Sequence, residues 1–431
     1  MKSPFSLLIL SIGLLLLPGW ATSEGPDPVV IVLSWDGLRH DFLEVHDADG
    51  ELTALRRIAT EGVRAGRLTP VFPSSTFPGH VSMATGTYPD RHGIVDNRFY
   101  DRDKGLYLNR ADANWLQAEP LWIAAERQGV PAATYFWVGS ETDWRGQGTR
   151  YRIAPFDSAR PEAEKVDQIL AWLRLPEAER PRLIMSYWAG TDRVGHDYGP
   201  LSRRVREQLA GQDAQLGRLL TGLDAMNAWP YTTLLLVSDH GMTDTGAYLD
   251  LRSALADRDI AARVLGSPVA NVFLNDPQQL EAAKAAIVSL GPVQVYEGQR
   301  LPDDLRLRHP TRIGDLVVVT EPPYVLTRPD GFKGMLVALL SAFGWSFGGH
   351  GYDPSLPDMG AVFMALGRGV EPGLDVAEVR QIDVAPTVAR LLGIDPPLQA
   401  EGQPVPGIGA SSLHATLPTS LPRSRFLGQE R

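Results

Sequence analysis

Cysteine is absent from all 431 residues. Its absence excludes disulfides, thiolate metal ligands, a cysteine nucleophile and a lipid-modified cysteine behind a leader, so any metal must rest on histidine and carboxylates. Positive charge is also short: 41 Lys and Arg face 51 Asp and Glu, a formal charge of -10. That balance opposes binding to long nucleic acids, whose backbones are held mainly by clustered basic side chains. A small anionic substrate stays compatible, because bound cations invert the local field. The apolar run from Phe5 to Leu17 is shorter than the ~20 residues a spanning helix needs. With Met1 and Lys2 before it and Pro18-Gly19-Trp20-Ala21-Thr22-Ser23 after it, it reads as a signal peptide over 1–23. The expectation is a periplasmic or secreted protein without a stable membrane anchor. A chain of this size with a large core needs no disulfides, which fits a periplasm.

With 44% hydrophobic residues, the chain can form one large core carrying an insertion. Val29 to Ser34 reads VVIVLS, a β-branched apolar run typical of a strand buried on both faces. Similar runs stand at Ala132–Trp137, Leu183–Trp188, Thr233–Ser238 and Ala361–Leu366. Between them lie helical patterns over Leu52–Glu61, Leu121–Gln128, Glu162–Leu173, Ser202–Leu223 and Val379–Leu392. The alternation predicts an α/β fold with a mostly parallel sheet sandwiched by helices. The rhythm breaks over 243–347, read as an inserted cap with a helix at Pro277–Leu290 and a strand at Leu316–Thr320. The catalytic core then comprises 24–242 and 348–396. The segment 397–431, rich in Pro, Gly and Ser, forms a tail that wraps the surface or frays.

Three of the predicted strands run into good metal ligands, and functional groups of an open α/β sheet gather at the carboxyl ends of its strands. They are Ser34-Trp35-Asp36-Gly37, Tyr187 through Asp192 to His196, and Ser238-Asp239-His240-Gly241-Met242; a late loop adds Gly349-His350-Gly351. Asp192 and His196 are four apart, so one helical turn brings them to the same side. Asp239 and His240 are adjacent and can grip one ion only where the chain bends, a bend assigned to Gly241. Oxygen and nitrogen donors without sulfur suit Zn²⁺, with Mn²⁺ or another divalent ion open. In Ser75-Thr76-Phe77-Pro78, the hydroxyl of Thr76 reads locally as a helix N-cap. A hydroxyl at that place also faces an anion site, given the free N–H groups and dipole there.

From Val29 to Leu392 the chain resembles the nucleotide pyrophosphatase/phosphodiesterase family of the alkaline phosphatase superfamily. The resemblance lies in Asp36-Gly37, Ser75-Thr76-Phe77-Pro78, Tyr88-Pro89, His92-Gly93-Ile94-Val95-Asp96-Asn97, Asp192 with Gly195-His196 and Tyr198-Gly199-Pro200, Ser238-Asp239-His240-Gly241-Met242, and His350-Gly351-Tyr352. It implies an alkaline-phosphatase-like fold and two zinc ions. Asp192, His196 and His350 would hold one ion; Asp36, Asp239 and His240 the other, joined by the oxygen of Thr76, the nucleophile. Asn97 would donate to a phosphoryl oxygen. Phe77 and Tyr187 would wall the leaving-group or nucleoside pocket, with Leu106, Tyr107 or Leu108 completing it.

Gly79 stands where the family often has Asn, and Ala189-Gly190-Thr191 replaces an acidic stretch, with Arg193 just beyond. The expected activity is hydrolysis of nucleotide phosphodiester or phosphoanhydride bonds through a covalent threonine intermediate. Aromatic walls and a Thr76 segment without Lys or Arg favour diesters; an inward Arg193 would raise monoesterase activity. A choline-phospholipid phosphodiesterase and a phosphate monoesterase on the same frame are the alternatives, and a non-catalytic metal-binding protein is disfavoured because no ligand is lost. Sulfatases use a modified Cys or Ser, and Cys is missing. His40, His46, His309 and His414 have no partner spacing; His80 and His92 are assigned to loops, Trp35 and Trp188 to core or pocket-rim packing.

Overall fold

The computed structural model describes residues 26–109, 112–327 and 347–409. The expected signal peptide, His414 and the end of the tail lie outside them. A sheet of eight strands runs in the order Leu374–Val376, Val63–Ala65, Phe363–Gly367, Thr232–Val237, Val29–Trp35, Leu183–Trp188, Ala132–Tyr135, Tyr151–Ile153. Neighbours pair in parallel except Phe363–Gly367, which is antiparallel to both sides. The sheet is therefore mostly parallel, as expected, with one reversed strand that the apolar run alone did not distinguish.

Alternation within the first strand explains the layering. Val29, Ile31, Leu33 and Trp35 join a core with the helices Thr53–Glu61, Glu162–Leu173 and Arg203–Ala225. Val30 and Val32 point the other way, toward Thr76–Thr85, Leu121–Arg127 and Val384–Leu392. Burying such a side chain completely contributes about 1.5–3 kcal/mol, so a strand apolar on both faces is held centrally. Trp35 and Trp188 stack with centroids 5.5 Å apart and are fully buried, which makes them core residues.

Some predicted boundaries move. The strand from Ala132 stops at Tyr135 because Phe136 takes a φ of 63°. The helix expected from Val379 begins at Val384, after the short strand Val379–Arg380 and a 3-10 turn over Gln381–Asp383. Ser202 caps the long helix Arg203–Ala225, its oxygen accepting from Val205 N–H.

Within the stretch read as a cap, a second sheet of four antiparallel strands runs in the order Ala262–Leu265, Val269–Leu274, Leu316–Thr320, Val293–Glu297. Helices Leu251–Ala256 and Leu280–Val288 pack on it around a separate apolar core. It is tied to the site by Thr243–Thr245, which pairs with Phe347–Gly349. The tail docks as far as it is described: Glu401 and Gly402 donate to the Gly86 carbonyl, and Val405 and Ile408 are buried. Among the described residues no helix is long and apolar enough to cross a membrane.

Candidate metal and phosphate site

Chain segments far apart in sequence deliver polar side chains to the carboxyl end of the sheet. Asp36 follows the strand Val29–Trp35, and Asp239 and His240 follow Thr232–Val237. Asp192 and His196 lie one turn apart on the helix Gly190–Tyr198, which begins just after the strand Leu183–Trp188. His350 comes directly after Phe347–Gly349.

Two groups of potential ligand atoms form, each with its atoms within 4.8 Å of one another: Asp36, Asp239 and His240, and Asp192, His240 and His350. The first matches the expected set. In the second, His240 rather than His196 completes the tight trio, and the rings of His240 and His350 stack 3.6 Å apart. His196 stands beside them, its Nε2 3.3 Å from Asp192 Oδ1, on a side chain 42% exposed.

The hydrogen bonds fix which atoms face inward. His196 donates through Nδ1 to the Gly348 carbonyl at 2.9 Å, His240 to Gly241 at 2.8 Å and His350 to Ser74 at 3.1 Å. Each Nε2 is left as a lone-pair atom, the usual arrangement behind a metal ligand. His240 Nε2 lies 3.3 Å from both Asp36 Oδ1 and Asp239 Oδ2, and His350 Nε2 lies 3.6 Å from Asp192 Oδ1. Those carboxylate oxygens are buried and have no hydrogen-bond partner. A buried oxygen left unpaired costs about 1–3 kcal/mol, so lone pairs facing lone pairs call for cations between them.

Electrostatics point the same way. Burial, then the nearby charges of Asp239 and Asp192, drive the Asp36 carboxyl well above its usual range, and burial raises Asp239. Burial lowers His350 to about 4 and holds His240 well below the ordinary imidazole range, so neither imidazole supplies the missing positive charge near neutrality. The residues fit divalent cations held by oxygen and nitrogen.

Thr76 Oγ1 sits 3.3 Å from Nε2 of His240, the residue that belongs to both groups. It is not the helix N-cap: the helix starts at Thr76 itself, with Ser75 in the cap position making no side-chain cap bond. Ser75 instead bonds the buried Asp96. Asn97 accepts from Phe77 N–H through Oδ1 at 2.7 Å, which leaves its NH₂ free to donate to another group. Phe77 is half-buried against Tyr107, 6.1 Å between centroids; Tyr107 is buried, while Leu106 and Leu108 are exposed.

Tyr187, expected as an open aromatic wall, is only 7% exposed, and its hydroxyl donates to Asp36 Oδ2. Its main contacts serve the carboxylate, and the ring packs on His80 and Phe156. Phe156, which sequence reasoning missed, is the exposed aromatic here, at 42%. It lines a cavity of about 160 Å³ with Lys165 and the exposed Arg193. No periodicity marks Phe156, which follows the edge strand in irregular chain.

His80 lies on a helix rather than a loop, four residues after Thr76. It donates through Nδ1 to the Thr76 carbonyl at 2.8 Å, bonds Ser34 at 2.8 Å and lies 3.4 Å from Asp239 Oδ2. That spacing from Thr76 was the legible signal. His92 ends a short helix and bonds Ser82, while His46 meets the Pro200 carbonyl and His309 the Gln117 side chain. Gly79 faces Asp239 O and Gln381 Nε2, each 3.0 Å from where a Cβ would stand. The buried Gln381 amide, donating to Asp239 O and accepting from Val71 N–H, fills the space a side chain at 79 would use. Gly241 has no positive φ; a Cβ there would meet the Asp358 carbonyl at 2.1 Å, so close approach rather than a bend requires glycine.

The family described as type I phosphodiesterase / nucleotide pyrophosphatase matches residues 30–353. Ectonucleotide pyrophosphatase/phosphodiesterase family member 1 of Homo sapiens is 29% identical over 387 residues, 86% of this chain and 40% of that protein. Venom phosphodiesterase CdcPDE of Crotalus durissus collilineatus is 30% identical, covering 85% of this chain and 44% of its own length. The chain thus spans less than half the length of these relatives. Among solved structures, human ectonucleotide pyrophosphatase/phosphodiesterase 5 superposes with a TM-score of 0.76 at 25% identity, over 86% of this chain and 96% of the other. An inactive variant of the murine protein in complex with AMP gives the same TM-score at 23% identity, over the same shares.

Proposed function

The chain belongs to the type I phosphodiesterase/nucleotide pyrophosphatase family, and on that premise we propose that it is an exported two-zinc hydrolase cleaving phosphodiester or phosphoanhydride bonds of nucleotides through a covalent ester on Thr76. The observation that carries this reading is the Thr76 hydroxyl at 3.3 Å from His240 Nε2, beside buried carboxylate oxygens that lack partners. Asp192, His196 and His350 would hold one zinc and Asp36, Asp239 and His240 the other, and bound zinc supplies positive charge that lowers the pKa of a hydroxyl and offsets that of a phosphoryl group.

The remaining work falls to the chain. Thr76 begins a helix, so its hydroxyl stands at the positive end of the helix dipole, which favours an anion there. Asn97, locked by Phe77 N–H, turns its NH₂ toward charge developing on a phosphoryl oxygen. Tyr187 holds Asp36 in place through its hydroxyl. Phe77 and the exposed Phe156 offer aromatic faces for a nucleoside, with Tyr187 contributing a ring edge. Water then cleaves the threonine ester and restores the hydroxyl. Export is supported by the leader-like N-terminus and by relatives named as venom and ectonucleotide enzymes.

Thr76→Ala is expected to lower kcat by at least ~10³ while zinc content, measured by atomic absorption, stays at the wild-type level. Substantial residual turnover removes Thr76 from the nucleophile's place. Hydrolysis rates for a dinucleotide, a nucleoside triphosphate, a lysophosphocholine and an aryl monophosphate, compared on zinc-loaded protein, test the substrate class; a lead for the last two would overturn it.

A further inference from the structure

A late segment of the chain reaches back to the candidate metal cluster through one side chain. Gln381 opens the 3-10 turn Gln381–Asp383, between the strand Val379–Arg380 and the helix Val384–Leu392, and is fully buried. Both ends of its amide are engaged. Nε2 donates to the carbonyl of Asp239, and Oε1 accepts from Val71 N–H at 2.9 Å. Among the described residues no backbone N–H donates to that carbonyl, which lies just beyond the strand Thr232–Val237. A buried carbonyl without a partner is costly, so the amide sets where this piece of chain lies. Val71 opens the run Val71-Phe72-Pro73-Ser74-Ser75 that leads into Thr76. Farther along the run, the Ser74 carbonyl accepts from His350 Nδ1. The helix Thr76–Thr85 closes the remaining side: a Cβ on Gly79 would stand 3.0 Å from both Asp239 O and Gln381 Nε2. One planar amide thus spaces the segment that enters Thr76 against the segment that carries Asp239 and His240.

We propose that Gln381 is a positioning residue, whose amide fixes the separation of these two segments and with it the alignment of the Thr76 hydroxyl on the Asp36, Asp239 and His240 ligand set. The proposal rests on the Thr76 reading above. Gln381 is buried behind the ligands, so it acts through them rather than on the substrate. Attack by a held oxygen depends steeply on its placement, and a shift of about 1 Å caused from a distance costs on the order of a hundredfold in rate. Both hydrogen bonds end on backbone groups, at Asp239 and Val71, and not on the side chains offered to a nucleoside, Phe77 and Phe156. Their loss therefore moves the ligands relative to the hydroxyl and leaves the aromatic faces in place. The signature is a fall in kcat with KM nearly constant, together with weaker retention of zinc.

An alanine at 381 would open the space to a cavity of about 470 Å³ lined by Val71, Tyr88 and Arg380, from which water can satisfy both backbone groups. The test therefore uses Gln381→Met, which keeps the volume but has no amide, and Gln381→Asn, whose shorter amide holds one partner but not both. With the p-nitrophenyl ester of thymidine monophosphate and saturating zinc, Gln381→Met is expected to lower kcat about tenfold and Gln381→Asn about threefold or more, with KM within about twofold of wild type. Zinc affinity, read by competition with a chelating dye, should weaken about tenfold in Gln381→Met. Thr387→Val is the control for local destabilisation: in the following helix, the buried Thr387 hydroxyl donates to Asp383 O and accepts from Val405 N–H, away from the ligands. It should lower the urea midpoint and leave kcat unchanged. Wild-type kcat in Gln381→Met, or a loss no larger than in Thr387→Val, overturns the assignment, and Gln381→Asn carries the same comparison if Gln381→Met does not fold. If zinc-loaded wild type fails to cleave the ester, the Thr76 reading falls and this proposal with it; if wild type cleaves it and the variants match, the Gln381 assignment alone falls.

Discussion

Asp96 lies beside Asn97 yet has no place among the ligand groups, and its environment sets a pH dependence of its own. Burial raises its carboxyl from 3.8 to about 7, against bonds from Asn97 N–H and the Ser75 hydroxyl. A carboxyl raised on folding holds its proton more tightly in the folded chain, so its contribution to stability is full below the unfolded value near 4. That contribution is lost as pH climbs through the folded value near 7. Asp96→Asn removes the titration. Relative to wild type, the variant should gain about 2 kcal/mol between pH ~5.5 and pH ~8, read by urea denaturation of zinc-loaded protein. A difference that does not move with pH counts against this assignment. Asp36, Asp239 and His240 were legible at this scale because each stands where an apolar run stops, His196 by its spacing of four from Asp192, and His350 only as a glycine-flanked histidine in a late loop. Phe156, Tyr187 and Gln381 were not, since burial and cross-chain hydrogen bonding decide what those side chains do.

The helix Gly190–Tyr198 and the strand Phe347–Gly349 meet almost backbone to backbone. A Cβ on Gly348 would lie 2.3 Å from the Gly195 carbonyl oxygen and 2.4 Å from Met242 Sδ, and the Gly348 carbonyl is the acceptor for His196. The sulfur can swing away, but the helix carbonyl cannot without shifting Asp192 and His196. Gly348→Ala should therefore cost about 1–3 kcal/mol in denaturant unfolding and lower the affinity for one equivalent of zinc about tenfold or more. Wild-type affinity in that variant would mean the contact is mere packing. The central strands and long helices were readable from period alone. The reversed direction of Phe363–Gly367 was not, because strand direction depends on the path of the chain through the intervening second sheet rather than on local apolarity.

Across the whole molecule, the buried carboxylates couple the cluster to the fold. Without cations, Asp36 and Asp239 repel each other and Asp192 in a dry site. Chelation by EDTA should thus lower the thermal midpoint by roughly 10 °C or more, restored by added zinc. An unchanged midpoint would separate the cluster from stability. The layered architecture was legible as a whole because strands and helices alternate as far as residue 242; the second sheet was legible only as a break in that rhythm. His350 enters the cluster only after the chain has passed through that second sheet. A nascent polypeptide that has emerged as far as His240 already owns Asp36, Thr76, Asp192 and Asp239, yet not the imidazole that stacks on His240. Biosynthesis therefore finishes the proposed metal cage late, and a prematurely ended translation product would carry the Thr76 hydroxyl without the full set of candidate ligands around it.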